Sequence, residues 1–464
     1  METFKLNWSS ISWRVPEWFK DAKFGIYCHF GVYCVPAFDN EWYSHNMYVD
    51  GHKANRYHIE KFGHPSKFGY KDFIPLFKAE KFDADEWCNI FLESGAKFAG
   101  VVAEHADGFA MWDSDHTDWC AGKMGPERDI VSEVCNAVKK MGLKFITTFH
   151  HHWNWGWYPT DDETVDASNP IYSGLYGPRA PRCAFGINPS ILPDNNFQTL
   201  WMKKIMEVID KYAPDIIYFD SRLNIIDEKY REEVVEYYYD RIGRLGQHGV
   251  VTYKCQDLPA GVGVVTVERS RMNNLKEYVW MEDDSIDWKS WCYVQNPNFK
   301  DPGRIIAQLV DVVSKNGVLL LNITPKSDGE IPEEVKKILL EIGEWLRING
   351  EAIYGSRPWR IYGEGPTQFS GDIVREETIG SYKPGDIRFT RKSNTLYAIL
   401  LEWPGHNITI NSLKKSDVKV HEVTLLGLDK KLRWTQNDEG LNVCMPRVKP
   451  CNYAYTLKIL LDYL

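Results

Sequence analysis

The sequence lacks the features that would place it in several common functional classes. None of its 10 cysteines forms a CxxC pair, which argues against a zinc ribbon or a thiol redox motif. It contains no block of basic residues and its formal net charge is −9, so we expect no nucleic-acid partner. No apolar run reaches the length of about 18 residues that a membrane-spanning helix needs, so we expect no membrane partner.

The first residues, METFKLNWSS, also lack the apolar segment of a secretory signal peptide. We therefore expect a cytoplasmic protein whose cysteines remain free thiols. The chain has no internal repeat and no low-complexity tract. A homo-oligomer is compatible with this composition.

Apolar runs alternate with helical patterns over about 350 residues, which predicts an α/β fold with a (β/α) barrel. The fifth and sixth runs are separated by CQDLPAGVG alone, which is too short for a crossover helix. We therefore expect a missing helix there and an irregular barrel that is incomplete in that quarter. The predicted strands are residues 24–29, 97–103, 144–150, 215–219, 250–254, 264–268 and 317–323.

After Pro358 the alternation of apolar runs and helical patterns gives way to a different pattern. Strand-like runs with turn residues between them follow at 387–403, 420–427 and 453–460. They predict an all-β sandwich of about 100 residues. The predicted domains are thus a catalytic barrel over residues 1–357 and a C-terminal β-sandwich over residues 358–464.

Polar side chains stand at the end of each of the first six predicted strands. The carboxyl ends of barrel strands meet on one face, where barrel active sites lie. Two carboxylates on different strands facing one cavity suit glycoside hydrolysis, in which one attacks the anomeric carbon and the other transfers the proton. The strand-end residues are His29, His105, His150, Asp220, Lys254 and Glu268.

Several longer stretches carry a family pattern in order over nearly the whole chain. They include FGIYCHFGVYCVPAFDNEWY (24–43), EHADGFAMWDS (104–114), IIYFD (216–220), SIDWKSWCY (285–293) and QLVDVVSKNGVLLLNITPKSDGEIP (308–332). These stretches resemble the retaining alpha-L-fucosidases of glycoside hydrolase family 29. The resemblance implies an exo-glycosidase that removes terminal alpha-L-fucose from fucosylated oligosaccharides or glycoconjugates by double displacement.

The resemblance also implies roles for the two carboxylates. Asp220 matches the nucleophile of the family. Glu268 lies at the spacing that several members use for the acid/base residue. The alternative is the WE pair of the family, which falls on Trp280-Met281-Glu282 and makes Glu282 the second candidate. We favour Glu268 because it ends a predicted strand.

The same resemblance identifies further substrate-binding residues. His29 and His105 match histidines that bond to fucose hydroxyls, and Glu41 with Trp42 matches a pair at the pocket edge. Tyr218 matches a residue near the pocket floor. Trp291 matches an aromatic residue near the C6 methyl group of fucose. His150 and Lys254 complete the predicted set.

The sequence departs from the family pattern beside the predicted sugar. The family has two adjacent histidines before DGF, and the second is Ala106 here, which removes a hydrogen-bond donor. The end of the fifth strand, often N-x-R, reads Thr252-Tyr253-Lys254. These departures leave two alternatives: a glycosidase for a sugar of fucose-like configuration, such as an alpha-L-galactoside, or a non-catalytic fucose-binding protein.

The run His150-His151-His152 raises the alternative of a metal site, because His150 and His152 would share one face of an extended segment. The neighbouring Trp153 and Trp155 instead favour an aromatic loop whose histidines bond to sugar or backbone. We therefore expect no metal ion and no cofactor.

Overall fold

A computed structural model describes Trp8 and residues 13–159, 162–178, 192–428 and 430–463. The strands of its first part are β1 (Phe24–Cys28), β2 (Phe98–Glu104), β3 (Lys144–Phe149), β4 (Ile216–Phe219), β5 (Val250–Lys254), β6 (Val264–Glu268), β7 (Ser270–Met272), β8 (Trp280–Ser285) and β9 (Gly317–Ile323). The helices are α1 (Glu17–Ala22), α2 (Tyr43–Asn46), α3 (Lys53–Phe62), α4 (Ala84–Glu93), α5 (Ile130–Lys140), α6 (Ser173–Tyr176), α7 (Asn195–Tyr212), α8 (Glu228–Arg244), α9 (Pro302–Ser314) and α10 (Glu333–Asn349).

Eight parallel strands close into a barrel in the order β1-β2-β3-β4-β5-β6-β8-β9. The predicted (β/α) barrel is therefore confirmed. The missing helix is also confirmed, because residues 255–263 between β5 and β6 contain only turns. The sheet itself is not incomplete there, since β5 and β6 pair in parallel from Thr252 opposite Val264 to Lys254 opposite Thr266.

Local sequence signals explain where the helices begin and which faces they bury. Asp83 caps α4 by accepting a hydrogen bond from the Glu86 backbone N–H at 3.0 Å, as its position before the helix predicts. Helix α10 buries the residues that recur at helical spacing, including Ile338, Ile342 and Trp345, and Gly350 is its C-terminal capping residue. Within the described residues, no helix is both long enough and apolar enough to cross a membrane.

The C-terminal part consists of two antiparallel sheets with one shared core. The sheet order is β10-β12-β13-β18-β15 in one and β14-β17-β16 in the other. Phe389 and Leu457 of the first sheet pack in the same cluster as Ile410 and Val443 of the second, which confirms the β-sandwich. The strands are β10 (Arg357–Glu364), β11 (Ile373–Arg375), β12 (Ile387–Lys392), β13 (Thr395–Leu400), β14 (Asn407–Ile410), β15 (Val418–Leu425), β16 (Trp434–Asn437), β17 (Gly440–Cys444) and β18 (Tyr455–Tyr463).

The C-terminal part also reaches back to the barrel. Strand β11 pairs with β7, and β7 lies in the connection between the barrel strands β6 and β8. The domain boundary after residue 357 stays a prediction. Next to this pairing, Glu376 accepts two hydrogen bonds from the Arg271 guanidinium, both at 2.6 Å, and one from Arg304 Nε at 2.6 Å. Arg271 and Glu376 are both fully buried, so each charge depends on the other.

Replacing Glu376 with alanine is expected to destabilise the protein by about 3–5 kcal/mol, because it leaves the buried Arg271 guanidinium without its main partner. The loss would be measured as a fall in the midpoint of thermal unfolding. Glu377→Ala is the matched control, since Glu377 is 69% exposed and its ion pair with Arg375 spans 3.7 Å. Such exposed pairs contribute about 1 kcal/mol or less. Equal falls in the two variants would contradict the prediction.

Candidate active site

Strand alternation carries the predicted residues to one end of the barrel lumen. On β4, Ile216 and Tyr218 point into the lumen, whereas Ile217 and Phe219 pack against the surrounding helices. Asp220 follows Phe219 and continues the inward set. His29, His105 and His150 likewise follow β1, β2 and β3, and Lys254 and Glu268 are the last residues of β5 and β6. The structure thus brings all six predicted strand-end residues to the same face.

Lys254 lies at the centre of the charged groups. Its Nζ donates a hydrogen bond to Asp220 Oδ1 at 2.7 Å and a second one to Glu268 Oε2. A third carboxylate, Asp283 Oδ2, lies 3.6 Å from the same nitrogen. The Lys254 side chain is 8% exposed, whereas that of Glu268 is 41% exposed. One buried ammonium therefore joins the two predicted catalytic carboxylates, and Glu268 faces the solvent side.

Lys254 also explains how Asp220 remains ionised although it is buried. Burial alone would raise the pKa of this carboxyl group, but the attraction of the Lys254 ammonium outweighs it and lowers the pKa well below its usual value. In return, the surrounding carboxylates raise the pKa of Lys254 against the effect of burial. The pair therefore supplies an anionic oxygen at the end of β4, which is the charge state that a nucleophilic carboxylate requires.

Three imidazoles form a wall beside Asp220. The ring of His29 lies 5.5 Å from His105 and 5.4 Å from His150, and the rings of His105 and His150 are 4.7 Å apart. Burial lowers the pKa of His105 to about 4 and holds the pKa values of His29 and His150 well below the usual value. All three are therefore neutral at pH 7, and a neutral imidazole offers one donor and one acceptor.

The hydrogen bonds of this wall leave polar atoms free for a ligand. His29 Nδ1 lies 2.8 Å from Asn322 Oδ1, and Asn322 Nδ2 donates to the Trp291 carbonyl at 2.7 Å, which fixes the amide orientation. His29 Nδ1 is therefore the donor, and its Nε2 is an acceptor. The buried Nδ1 atoms of His105 and His150 have no hydrogen-bond partner among the described residues. Sugar hydroxyl groups would satisfy them.

Aromatic side chains border the imidazole wall. The Trp291 ring lies 5.4 Å from His29, and its backbone N–H donates to Glu41 Oε2 at 3.0 Å. Burial raises the pKa of Glu41 to about 7. Trp42 lies further out, with its ring 4.4 Å from Trp157, which in turn lies 6.2 Å from His105. Glu41 therefore fixes the position of the Trp291 backbone, and Trp42 lies at the outer edge of the site.

Comparison of the sequence with protein-family models identifies the family of this chain. Residues 1–351 match the family model described as alpha-L-fucosidase. The chain belongs to the alpha-L-fucosidase family. Residues 382–460 match the alpha-L-fucosidase C-terminal domain. The resemblance stated from the sequence is thereby confirmed, together with the enzyme class, a glycoside hydrolase.

Named relatives and solved structures agree with the alpha-L-fucosidase family. Tissue alpha-L-fucosidase of Rattus norvegicus is 30% identical over 479 residues, covering 98% of this chain and 92% of the relative. Plasma alpha-L-fucosidase of Homo sapiens is 30% identical over 482 residues with the same coverage. The crystal structure of Thermotoga maritima alpha-fucosidase with a mechanism-based inhibitor has a TM-score of 0.79 at 28% identity, covering 98% of this chain and 99% of that one. Its complex with fucose has a TM-score of 0.77 at 27% identity, covering 96% and 97% of the two chains.

The alternative acid/base candidate lies outside the lumen of this alpha-L-fucosidase family member. Met281 and Asp283 of β8 point inward, and Glu282 between them points outward against helix α9. Gln308 Nε2 of that helix donates to Glu282 Oε1 at 2.6 Å, and burial raises the pKa of Glu282 well above its usual value. Glu282 therefore does not reach the cavity that Asp220 faces.

Sequence reasoning missed several residues that complete the site. Tyr27 and Asp283 were not predicted, and Tyr27 donates a hydrogen bond to Asp283 at 2.8 Å beneath Lys254. Tyr218, which was predicted near the pocket floor, donates to the same carboxylate at 2.7 Å. Tyr33 lies 5.1 Å from the ring of His105, and its buried hydroxyl has no partner among the described residues. Tyr27 lies two positions before His29, and Asp283 lies two positions before the end of β8. The alternation of side chains along β1 and along the unpredicted strand β8 would have indicated both.

The predicted metal alternative is wrong in its pairing of histidines. Residues His151–Asn154 form a 3-10 turn rather than an extended segment, so His152 turns away and its Nε2 bonds to the Ser221 carbonyl at 2.7 Å. The nitrogens that do approach one another belong to His29, His105 and His150, all within 4.8 Å. A zinc ion would require each nitrogen at about 2.0–2.1 Å, so this set would have to contract around it.

Proposed function

We propose that this chain is a retaining exo-glycosidase that hydrolyses terminal alpha-L-fucosides of oligosaccharides or glycoconjugates. The observation that carries the proposal is the contact of Asp220 and Glu268 with one ammonium, beside three neutral imidazoles at the open end of the barrel. Membership of the alpha-L-fucosidase family supports fucose as the sugar, and the related Thermotoga maritima enzyme has been crystallised with fucose.

In the proposed reaction, the ionised Asp220 attacks the anomeric carbon and Glu268 gives its proton to the departing glycosidic oxygen. The resulting glycosyl ester is then hydrolysed by a water molecule from which Glu268 takes a proton. The exposure of Glu268 suits this role, because the leaving group and the water must both arrive from the solvent side. Two hydrogen bonds to the same nitrogen hold the bonded oxygens of the two carboxylates no more than about 6 Å apart. Retaining glycosidases require a separation of about 5–5.5 Å.

The imidazole wall supports recognition of sugar hydroxyls rather than of a charged group. Neutral His29, His105 and His150 offer both donors and acceptors, whereas three imidazolium ions would offer only donors. The Trp291 ring beside them offers an apolar surface for the C6 methyl group that distinguishes fucose from galactose. The proposed site therefore matches both the polar face and the apolar corner of the sugar.

A screen of aryl glycosides with the purified protein tests the proposal. We expect the alpha-L-fucoside to be hydrolysed faster than the alpha-L-galactoside and the beta-D-galactoside. Faster turnover of the alpha-L-galactoside would support the alternative sugar, and fucose binding without turnover would support a non-catalytic protein. Activity should persist in EDTA, whereas its loss would favour a metal ion on the three histidines.

Retention of anomeric configuration is a separate prediction. Double displacement inverts the anomeric carbon twice, so an alpha-L-fucoside should first release alpha-L-fucose. Proton NMR during the first minutes of hydrolysis, before mutarotation, distinguishes the two anomers. Initial release of the beta anomer would refute retention while leaving the substrate assignment intact.

The remaining expectations from the sequence stay predictions. They are the cytoplasmic location, the absence of nucleic-acid and membrane partners, and the absence of a cofactor. Fractionation of the cells that produce the protein would test the first of them. A fucosylated oligosaccharide is the partner that we propose.

A further inference from the structure

Asp283 is a buried carboxylate that the proposed reaction does not yet use. It lies on β8 in the lumen and is 1% exposed. Tyr27 of β1 donates to its Oδ1 at 2.8 Å, and Tyr218 of β4 donates to its Oδ2 at 2.7 Å. The Lys254 ammonium of β5 lies 3.6 Å from Oδ2. The carboxylate is therefore held from two strands so that one oxygen faces Lys254.

The position of this carboxylate is difficult to explain by packing. The layer below it in the lumen is apolar, with Met281 on the same strand and Ile216 and Val250 nearby. Burying a carboxylate at the edge of such a layer is unfavourable unless it is paired and hydrogen-bonded. Here both oxygens are bonded and a cation is close. The arrangement therefore points to a role for the charge itself.

That role follows from the number of carboxylates around Lys254. An ammonium group has three donors, and three carboxylates approach this one: Asp220, Glu268 and Asp283. If Asp283 carried no charge, the whole attraction of Lys254 would fall on the two reacting carboxylates. A nucleophile that is paired too strongly attacks more slowly, and an acid beside an uncompensated cation loses its proton more readily.

We propose that Asp283 is a positioning residue for the proposed fucoside hydrolysis, which holds the Lys254 ammonium beneath Asp220 and Glu268 and balances part of its charge. This inference rests on the proposed function. The groups that face Asp283 are Tyr27, Tyr218, Lys254 and Glu268. Burial raises the pKa of Asp283 to about 7, against the opposing attraction of Lys254. Its charge therefore changes within the neutral range.

The sign of the pH dependence follows from this titration. Below about pH 6 most of Asp283 is protonated, so replacing it with asparagine changes little. Above about pH 7 the parent gains a negative charge that the Asn variant lacks, and the variant loses the proton of its acid sooner. We therefore expect Asp283→Asn to keep kcat/KM within about threefold of the parent near pH 5 and to fall about tenfold behind near pH 8, with its alkaline limb about one pH unit lower.

The test compares pH profiles of aryl alpha-L-fucoside hydrolysis for the parent, Asp283→Asn and Glu282→Gln. Glu282 is the matched control, because it is the adjacent acid on β8, is equally buried and points away from the lumen. Its variant should keep the shape and limbs of the parent profile. If Asp283→Asn does not fold, Tyr27→Phe removes one hydrogen bond from Asp283 and should move the alkaline limb in the same direction by a smaller amount.

The outcomes separate this inference from the proposed function. A parent that does not hydrolyse the fucoside rejects the proposed function and the role of Asp283 with it. An active parent with an Asp283→Asn profile that falls equally at every pH rejects only the positioning role, because lost structural integrity would reduce the rate uniformly. An equal shift in the Glu282→Gln profile would reject it as well, since the effect would then follow from replacing any buried carboxyl group on β8.

Discussion

Asp220→Gly is expected to lose alpha-L-fucoside hydrolysis almost completely, by about 10⁴-fold or more in kcat/KM, equivalent to about 5.5 kcal/mol of barrier. Asp220 supplies the only anionic oxygen at the end of β4, and Lys254 keeps it ionised. Glycine removes the oxygen that would form the glycosyl ester and leaves a small space in its place. Added azide should enter that space and restore turnover, with a glycosyl azide of inverted configuration as the product.

Asp215→Asn is the matched control for this experiment, because Asp215 precedes the same strand at the opposite end of the barrel. Its carboxylate accepts from Lys144 Nζ at 2.8 Å and from the Phe145 backbone N–H at 2.9 Å, so its role is structural. The variant should be less stable but retain kcat/KM at the temperature of the assay. Near-parent hydrolysis by Asp220→Gly without azide would show that Asp220 is not the nucleophile.

Much of the barrel could be predicted because its strands are buried on both faces and are therefore continuously apolar. The runs that end at His29, Asp220 and Lys254 are predominantly apolar. The parallel barrel brings the ends of these strands to one face, independently of the conformation of the loops. This is why a list of strand-end residues is sufficient to predict which side chains lie together on one face of the barrel. The roles of those residues came from the family resemblance and not from the pattern.

Strand β8 could not be predicted because its sequence, WMEDDS, carries three consecutive acids. Such a run normally indicates an exposed turn. The strand is nevertheless fully buried, because each carboxyl group has a partner that is distant in sequence. Asp284 bonds to Lys300, Asp283 faces Lys254, and Glu282 accepts from Gln308. Partners of this kind depend on the closed barrel, and no local propensity reports them.

The pairing of β11 with β7 was unpredictable for a related reason. Both strands are only three residues long, and they join a segment of the C-terminal part to the short connection after Glu268. The short connection after β5 predicts that a helix is missing there. The sequence did not predict that a second helix, after β6, is replaced by this strand pair. Its stability depends on the buried contact between Arg271 and Glu376, which lie 105 positions apart.

Glu268→Ala is expected to separate the two steps of the proposed reaction according to the leaving group. A natural fucosyl disaccharide has a poor leaving group that must be protonated, so its hydrolysis should fall by about 10²–10⁴-fold. An activated aryl fucoside leaves without protonation, so its first step should proceed at an appreciable rate. The alkaline limb of the pH profile, which reports the acid, should flatten in the variant.

Glu282→Ala is the comparison variant, because Glu282 is the second acid/base candidate from the sequence and lies on the outer face of β8. Its carboxylate contacts Gln308 on helix α9, so it cannot come within hydrogen-bond reach of a glycosidic oxygen in the lumen without reversal of the strand. We therefore expect Glu282→Ala to treat both leaving groups alike and to keep the alkaline limb, whatever its stability. If Glu282→Ala instead discriminates between the leaving groups and Glu268→Ala behaves as the parent, the acid/base assignment to Glu268 is wrong.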